Sequence, residues 1–386
     1  MTASIALPRV LKIGRGCSAE LPNVLQSFNL KRPLIITDSF LGEQPFLAQI
    51  QDGLRSRGIE AGLFTRAQPD PTTDSVEQGV GVLRSGVFDC VIGIGGGSPM
   101  DTAKAVALLG GRDASMRDFK APVVTDTPTL PLIAIPTTSG SGSECTRFTV
   151  ITDSTTDEKM LCSGLAFLPT VALVDYELTM DMPRRLTADT GVDALVHAVE
   201  AFVSKCASPF TDALALTAMG TLFRNLRVVY EDPKDESARA AMMLGATQAG
   251  IAFSNSSVAL VHGMSRPIGG HFHIAHGLSN AMLMPAVTAF SLDAATERYA
   301  RCARAMGVAT DSVSDEAAAQ QMVDALVVLN EDLDVPGPRE CGIPEDKWRD
   351  RIPVMARQAK ESGSPDNNPR VPTVNEIEAL FHALWS

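Results

Sequence analysis

The 386-residue chain is poor in aromatic residues, at 5% of the total, and otherwise ordinary in composition, with 45% hydrophobic and 20% charged residues. It lacks an excess of positive charge. A formal net charge of −12 argues against a general nucleic-acid or anionic-membrane binder, because neither partner attracts an acidic surface. No Cys-x-x-Cys pair occurs among the seven cysteines at 17, 90, 145, 162, 206, 302 and 341. Their odd number and scatter point to reduced thiols in a cytoplasmic protein, not to a disulfide framework. No apolar run reaches the roughly 20 residues that span a bilayer. The opening Met-Thr-Ala-Ser-Ile-Ala-Leu-Pro-Arg-Val has no charged segment followed by a long apolar core, so no signal peptide is expected. Internal repeats and low-complexity blocks are also lacking.

At this length two domains are the default. The first half alternates short apolar runs with amphipathic stretches. Strands are expected at 33–38, 59–65, 88–95 and 130–135, and helices at 46–57, 73–83 and 99–109. Such alternation predicts βαβ units and a parallel, doubly wound sheet. Strand propensity continues over 147–152 and 171–175, as extra strands or hairpins. Near Asp181-Met-Pro-Arg-Arg185 the texture changes. Ala/Leu/Met-rich stretches follow at 187–205, 210–229, 235–262, 276–290, 293–306 and 315–331, predicting an all-helical domain. The expected division is 1–183 for the α/β domain and 184–386 for the helical one. Residues 362–370 read as an exposed loop before a final helix.

The usual G-x-G-x-x-G fingerprint is missing. In its place, Gly95-Gly96-Gly97-Ser98 sits between a strand and a helix start. Ser98 is expected to cap that helix, with Pro99 at its first position. Free N–H groups and the helix dipole would then face a pyrophosphate; the plain alternative is a tight turn that needs glycine for its geometry. A second loop, Pro136-Thr-Thr-Ser-Gly-Ser-Gly-Ser-Glu144, suits either a ligand lining or a flexible connection. Asp38, ending its strand, reads equally as an acceptor for a ribose 2′-hydroxyl or as a turn aspartate.

Four of the six histidines, His262, His271, His273 and His276, fall within fifteen residues. A fifth, His197, follows Asp193 by four residues, which places both on one face of a helix. In that helix Val192, Leu195, Val196, Val199 and Phe202 mark an apolar side, and Asp193, His197 and Glu200 lie on another. A lone histidine there would be structural, but together with the downstream cluster the set reads as a divalent-metal site. His262 is expected to end one helical stretch and His276 to open the next, with Pro267, Gly269 and Gly270 bending the chain between them. Spacing alone does not choose among the four downstream histidines. One aspartate with two or three neutral imidazoles leaves a bound divalent ion positive, able to polarise a carbonyl or acidify an alcohol. No cysteine accompanies these residues, which excludes a cysteine-ligated catalytic zinc.

These stretches, with Leu173 to Pro183 and His262 through Pro285, resemble the iron-containing (group III) alcohol dehydrogenase family along nearly the whole chain. The resemblance implies a Rossmann-like dinucleotide-binding α/β domain, then an all-α domain, with metal and substrate in the cleft between them. It implies Asp193, His197, His262 and His276 as metal ligands, for Fe2+ with Zn2+ or another divalent ion as alternatives. It further implies NAD held by Gly95, Gly96, Gly97, Ser98, Asp101, Thr137, Thr138 and Lys159, with Asp38 setting the preference for NAD and Pro69-Asp-Pro-Thr72 near the cofactor. His271 and His273 are left as candidates for proton transfer or substrate contact.

The departures from the family pattern point to the substrate. Many members carry a histidine four residues after the first downstream ligand, where this chain has Arg266. It also reads Cys145-Thr-Arg147-Phe148 where diol-acting relatives have smaller polar residues. Arg266 or Arg147 is therefore expected to receive a substrate carboxylate, since a guanidinium fork suits that group; the alternative is pairing with a protein acid or cofactor phosphates. The expected activity is an NAD-dependent primary alcohol/aldehyde dehydrogenase, acting on a short ω-hydroxy acid such as 4-hydroxybutyrate or 5-hydroxyvalerate. The alternatives are a plain alcohol or lactaldehyde-type diol dehydrogenase, a dehydroquinate-synthase-like lyase, and a non-catalytic metal-dependent binding protein. A homodimer or higher homo-oligomer is expected.

Overall fold

The computed structural model describes residues 2–385 and divides into two compact units, Ile5–Asp181 and one formed by residues 2–4 with residues 182–385. The first contains β1 (Val10–Ile13), α1 (Leu21–Ser27), β2 (Pro33–Ile36), α2 (Ser39–Gly42), α3 (Pro45–Arg55), β3 (Gly62–Phe64), α4 (Thr73–Ser85), β4 (Cys90–Gly95), α5 (Gly97–Leu109), β5 (Leu132–Pro136), β6 (Phe148–Thr152), β7 (Lys159–Ser163) and β8 (Val171–Val174). Six strands form one parallel sheet in the order β1-β8-β5-β4-β2-β3. β2, β4, β5 and β8 are buried along their whole length, as continuous apolar runs in a sheet covered on both faces must be. One face packs Val76, Val80, Val106 and Leu109; the other packs Leu21, Leu25, Leu47 and Leu54 against Ile92, Ile94, Ile133 and Ile135. The sheet is thus doubly wound, as the alternating pattern predicts. Of the two extra strand segments, 171–175 joins the sheet as β8, while 147–152 becomes β6 of an antiparallel hairpin with β7.

The second unit is helical: α6 (Arg184–Val203), α7 (Pro209–Glu231), α8 (Glu236–Ser256), α9 (Leu260–Phe272), α10 (His276–Ser291), α11 (Thr296–Met306), α12 (Asp315–Asp332), α13 (Glu345–Glu361) and α14 (Val374–Ala383). Local signals fix several ends. Ser208 and Thr211 form a capping box at α7, Thr373 and Glu376 another at α14. Gly307, left-handed at φ 79°, stops α11.

Three local expectations need correction, while α6 keeps its polar side apart from its apolar one. The helix expected over 235–262 breaks at Ser257, whose φ of 69° leaves the helical region, so His262 lies in the first turn of α9 and not at the end of α8. Pro267, Gly269 and Gly270 do not end the helix; α9 continues through them to Phe272, with Pro267, Ile268 and Gly269 buried, so packing outweighs their poor intrinsic helix propensity. α6 is buried on nearly every side from Thr187 to Val203, so Asp193, His197 and Glu200 face the protein interior opposite the apolar stripe. Residues 362–370 are no exposed loop. Ser364 to Asn367 form a 3-10 turn with Ser364 and Pro365 buried, and Asn368 donates to Ser291 Oγ and Arg370 O. The amphipathic α13, with Trp348, Ile352, Met355 and Ala359 buried, escapes the sequence reading because its charged residues and Pro353 mask the stripe. No helix among the described residues is long and apolar enough to cross a membrane.

Candidate metal and cofactor sites

In the helical unit, α6 contributes Asp193 and His197, the first turn of α9 contributes His262, and the first residue of α10 is His276. Ligand atoms of Asp193, His262 and His276 lie within 4.8 Å of one another. The Nε2 atoms of His262 and His276 are 3.5 and 3.7 Å from Asp193 Oδ1, and His197 Nε2 is 3.9 Å from it. The rings stack, His197 between Phe253 and His262 at centroid distances of 4.1 and 4.5 Å. Burial pushes the Asp193 carboxyl up, but His197, His276 and His262 overcome it and hold that carboxyl well below its usual range. Burial likewise disfavours the His262 imidazolium, and the Asp193 and Glu200 carboxylates reverse the effect and raise it.

The residues present fit a divalent ion. The donor set is one carboxylate oxygen with neutral imidazole nitrogens converging on it, the chemistry of Fe2+ or Zn2+ sites. Asn280, four residues after His276 on α10, supplies a second indication. Its Nδ2 donates to Asp193 Oδ1 at 2.6 Å and lies 3.2 and 3.3 Å from the Nε2 atoms of His262 and His276. Its Oδ1 is buried without a hydrogen-bond partner, a costly arrangement for a polar atom. Sequence reasoning passed over Asn280 and over Glu200 as a partner of His262; the i, i+4 spacing from His276 was the available signal for the former.

In the α/β unit, β2 and β4 are adjacent and parallel, yet β2 leads outward to β3 and β4 leads the other way to β5. That reversal creates a crevice at the strands' carboxyl ends, where Asp38 and Gly95 to Ser98 are found. Gly95 has φ 148°, and a Cβ there would meet Pro99 at 2.6 Å. The cap differs from expectation: Gly96 is the N-cap, Gly97 opens α5, and no side chain caps it. Ser98 instead lies in the first turn, its carbonyl accepting from Thr102 Oγ1. The first-turn N–H groups therefore stay open to an anion. A Cβ on Gly96 would touch Thr138 at 3.3 Å and one on Gly97 would touch Ser141 at 3.4 Å, so the two loops face each other closely, and Thr137 N donates to Gly95 O. This cradle fits a dinucleotide pyrophosphate.

The remaining candidates have definite surroundings. Asp38 caps α2, its Oδ1 accepting from Leu41 N at 2.8 Å. Both oxygens of Asp101 are engaged, Oδ1 by Ser143 Oγ and Oδ2 by Val150 N, so it braces the loop. Lys159 pairs with Asp70 at 2.8 Å, joining the hairpin to the Pro69–Thr72 segment. Arg147 lies beside the Phe148 ring, 6.0 Å from its centroid. His271 bonds Gln358, and His273 is exposed in a left-handed conformation that ends α9. Arg266 Nη1 donates to Ser364 Oγ at 2.9 Å.

Residues 8–176 match the family model described as iron-containing alcohol dehydrogenase, and residues 187–385 match the model for the C-terminal part of that family. The chain belongs to the iron-containing alcohol dehydrogenase family. It is 38% identical over 376 residues to the NAD-dependent methanol dehydrogenase of Bacillus methanolicus, covering 97% of this chain and 98% of that protein. It is 35% identical to the lactaldehyde reductase of Escherichia coli K12 over 375 residues, 96% and 97% of the two chains. The crystal structure of a 1,3-propanediol oxidoreductase superposes with a TM-score of 0.95 at 32% identity, covering 100% of both chains. As a member of this family the enzyme is an oxidoreductase acting on alcohols, with iron and NAD as its cofactors.

Proposed function

We propose that this alcohol dehydrogenase interconverts a short ω-hydroxy acid and its semialdehyde with NAD, 4-hydroxybutyrate and 5-hydroxyvalerate being substrates of suitable length. Asp193, His197, His262 and His276 would hold the metal. A bound divalent ion supplies Lewis acidity to the alcohol oxygen, and NAD accepts the hydride. Gly95 to Ser98, with Thr137 and Thr138, would bind the pyrophosphate through backbone N–H groups and hydroxyls, and Lys159 would line the cofactor site. Asp38 would accept a hydrogen bond from the ribose: its capping bond uses one oxygen, and the negative charge opposes a 2′-phosphate. Seven free thiols among the described residues support a cytoplasmic setting.

Arg266 carries the substrate reading. It lies on α9 one helical turn beyond His262, and the Ser364 hydroxyl is its hydrogen-bond partner. No carboxylate among the described residues forms an ion pair with it. Burial lowers the guanidinium pKa and the Glu200 charge opposes that shift, so a half-buried charged group stands without a fork partner. Such a group gains most from a bound carboxylate. Arg147, flanked by an aromatic ring, ranks behind it. His271 and His273 stay as candidates for passing the alcohol proton to water.

The test is a comparison of kcat/KM for 4-hydroxybutyrate and for 1-butanol in the wild type and Arg266→Ala. We expect the loss on the hydroxy acid to exceed that on the plain alcohol by about 10- to 100-fold, the worth of a charge-assisted bidentate pair. Equal losses would leave a plain alcohol or diol dehydrogenase. Absence of net NADH formation across the panel would favour a lyase of the dehydroquinate-synthase type.

A further inference from the structure

Glu200 lies on α6 three residues after His197 and seven after Asp193, on the same helical face. Its side chain is buried, and both of its oxygens are committed. Oε1 accepts from Val261 N at 2.6 Å and Oε2 meets His262 Nδ1 at 2.7 Å. Val261 is the second residue of α9, and the N-cap residue Ala259 offers no side-chain acceptor. The first N–H groups of a helix lack intrahelical partners, so Glu200 acts as the missing cap, supplied by another helix, and its charge suits the positive end of the α9 dipole.

We infer that Glu200 is a positioning residue that fixes the tautomer of His262. An ionised carboxylate can only accept, so Nδ1 carries the proton and Nε2 presents its lone pair toward Asp193 and His276. One side chain thereby anchors the start of α9 and aims the imidazole carried by the next residue. Partners of this kind set ring orientation and raise ligand basicity. The role rests on the reading of Asp193, His262 and His276 as metal ligands.

Glutamine at position 200 separates this role from simple packing. An amide has one acceptor oxygen, and Val261 N–H can only donate, so the oxygen is retained there. The NH2 group then faces His262 Nδ1, which must become the acceptor and move its proton to Nε2, on the ligand face. Metal-free protein carrying 15N-histidine gives an assignable spectrum because the chain has six histidines, and the His262 signal is the one lost in His262→Ala. At a pH high enough to keep the His262 ring neutral, we expect Nδ1–H in the wild type and Nε2–H in Glu200→Gln. Zn2+ affinity, measured by competition with a chromophoric chelator, should fall about 10- to 100-fold in that variant. The thermal midpoint of the metal-free variant serves as the folding control. An Nε2–H tautomer in the wild type overturns the inference even if the variant does not fold, and so does wild-type Zn2+ affinity in a folded Glu200→Gln. Wild-type Zn2+ binding by both His262→Ala and His276→Ala would instead remove the ligand set itself, and the role of Glu200 with it.

Discussion

Lys104 Nζ donates to both the carbonyl and the hydroxyl of Thr146, at 3.1 and 2.9 Å, and to Phe148 O at 2.7 Å. A fully buried ammonium on α5, three residues after Asp101, thus fastens the loop that follows β5 to the helix whose first turn forms the glycine cradle. Its three donors are all satisfied, which makes burial of the charge tolerable.

Lys104→Met should therefore destabilise the enzyme by about 2–4 kcal/mol, the cost of stranding buried acceptors, and weaken NAD binding through the loosened loop. Urea unfolding and fluorescence titration with NADH would measure the two effects; an unchanged NADH affinity would separate the loop from the cofactor site.

The same residue gives a pH signature. Burial lowers the Lys104 pKa to about 8 from 10.5, with Asp101, Glu144 and Cys145 opposing the shift. The unfolded chain keeps this proton up to 10.5 while the folded chain releases it near 8. Between these values the unfolded state binds more protons, so Lys104 makes stability rise with pH across that window. Urea midpoints taken from pH 8 to 10.5 should rise in the wild type relative to Lys104→Met, and parallel curves would count against it.

Asp38 combines two roles that substitution can separate. Asn caps as well as Asp, so Asp38→Asn should keep stability but lose charge-based discrimination against NADP. Asp38→Ala should lose both, with about 1 kcal/mol of stability. Thermal midpoints and the ratio of kcat/KM for NAD and NADP report on each, and an unaltered cofactor ratio in both variants would confine Asp38 to capping.

Gly277 lets α10 approach α6. A Cβ at this position would lie 2.2 Å from Asp189 O, four residues before Asp193 and next to His276. Gly277→Ala should push the start of α10 away and weaken metal retention, seen as lower iron content after dialysis. Full iron occupancy would mean that the first turn of α10 adjusts without moving His276.

Chelation should lower the thermal midpoint of the wild type and leave Asp193→Ala unaffected. A ligand at 100 times its Kd stabilises the folded state by about 2.7 kcal/mol, so the shift amounts to several degrees. An equal chelator effect on both proteins would place the ion elsewhere.

Much of this enzyme could be read along the chain. Strand-length apolar runs alternating with amphipathic segments dictated a parallel sheet, because such runs need cover on both faces. The i, i+4 pair Asp193 and His197, with His262 and His276 downstream, pointed to one metal site, because a helix repeats its faces at that interval. Other features depended on contacts between segments distant in sequence. The continuation of α9 through Pro267 follows from burial that overrides local propensity, and the break at Ser257 shows only in its φ of 69°. Glu200 looked like one more polar residue on α6 until folding brought its oxygens to Val261 N and His262 Nδ1, 61 and 62 residues away in sequence. Residue type and spacing determined which side chains can bind a metal; the tertiary fold decided which nitrogen of His262 is offered, because a tautomer is set by the partner across the ring.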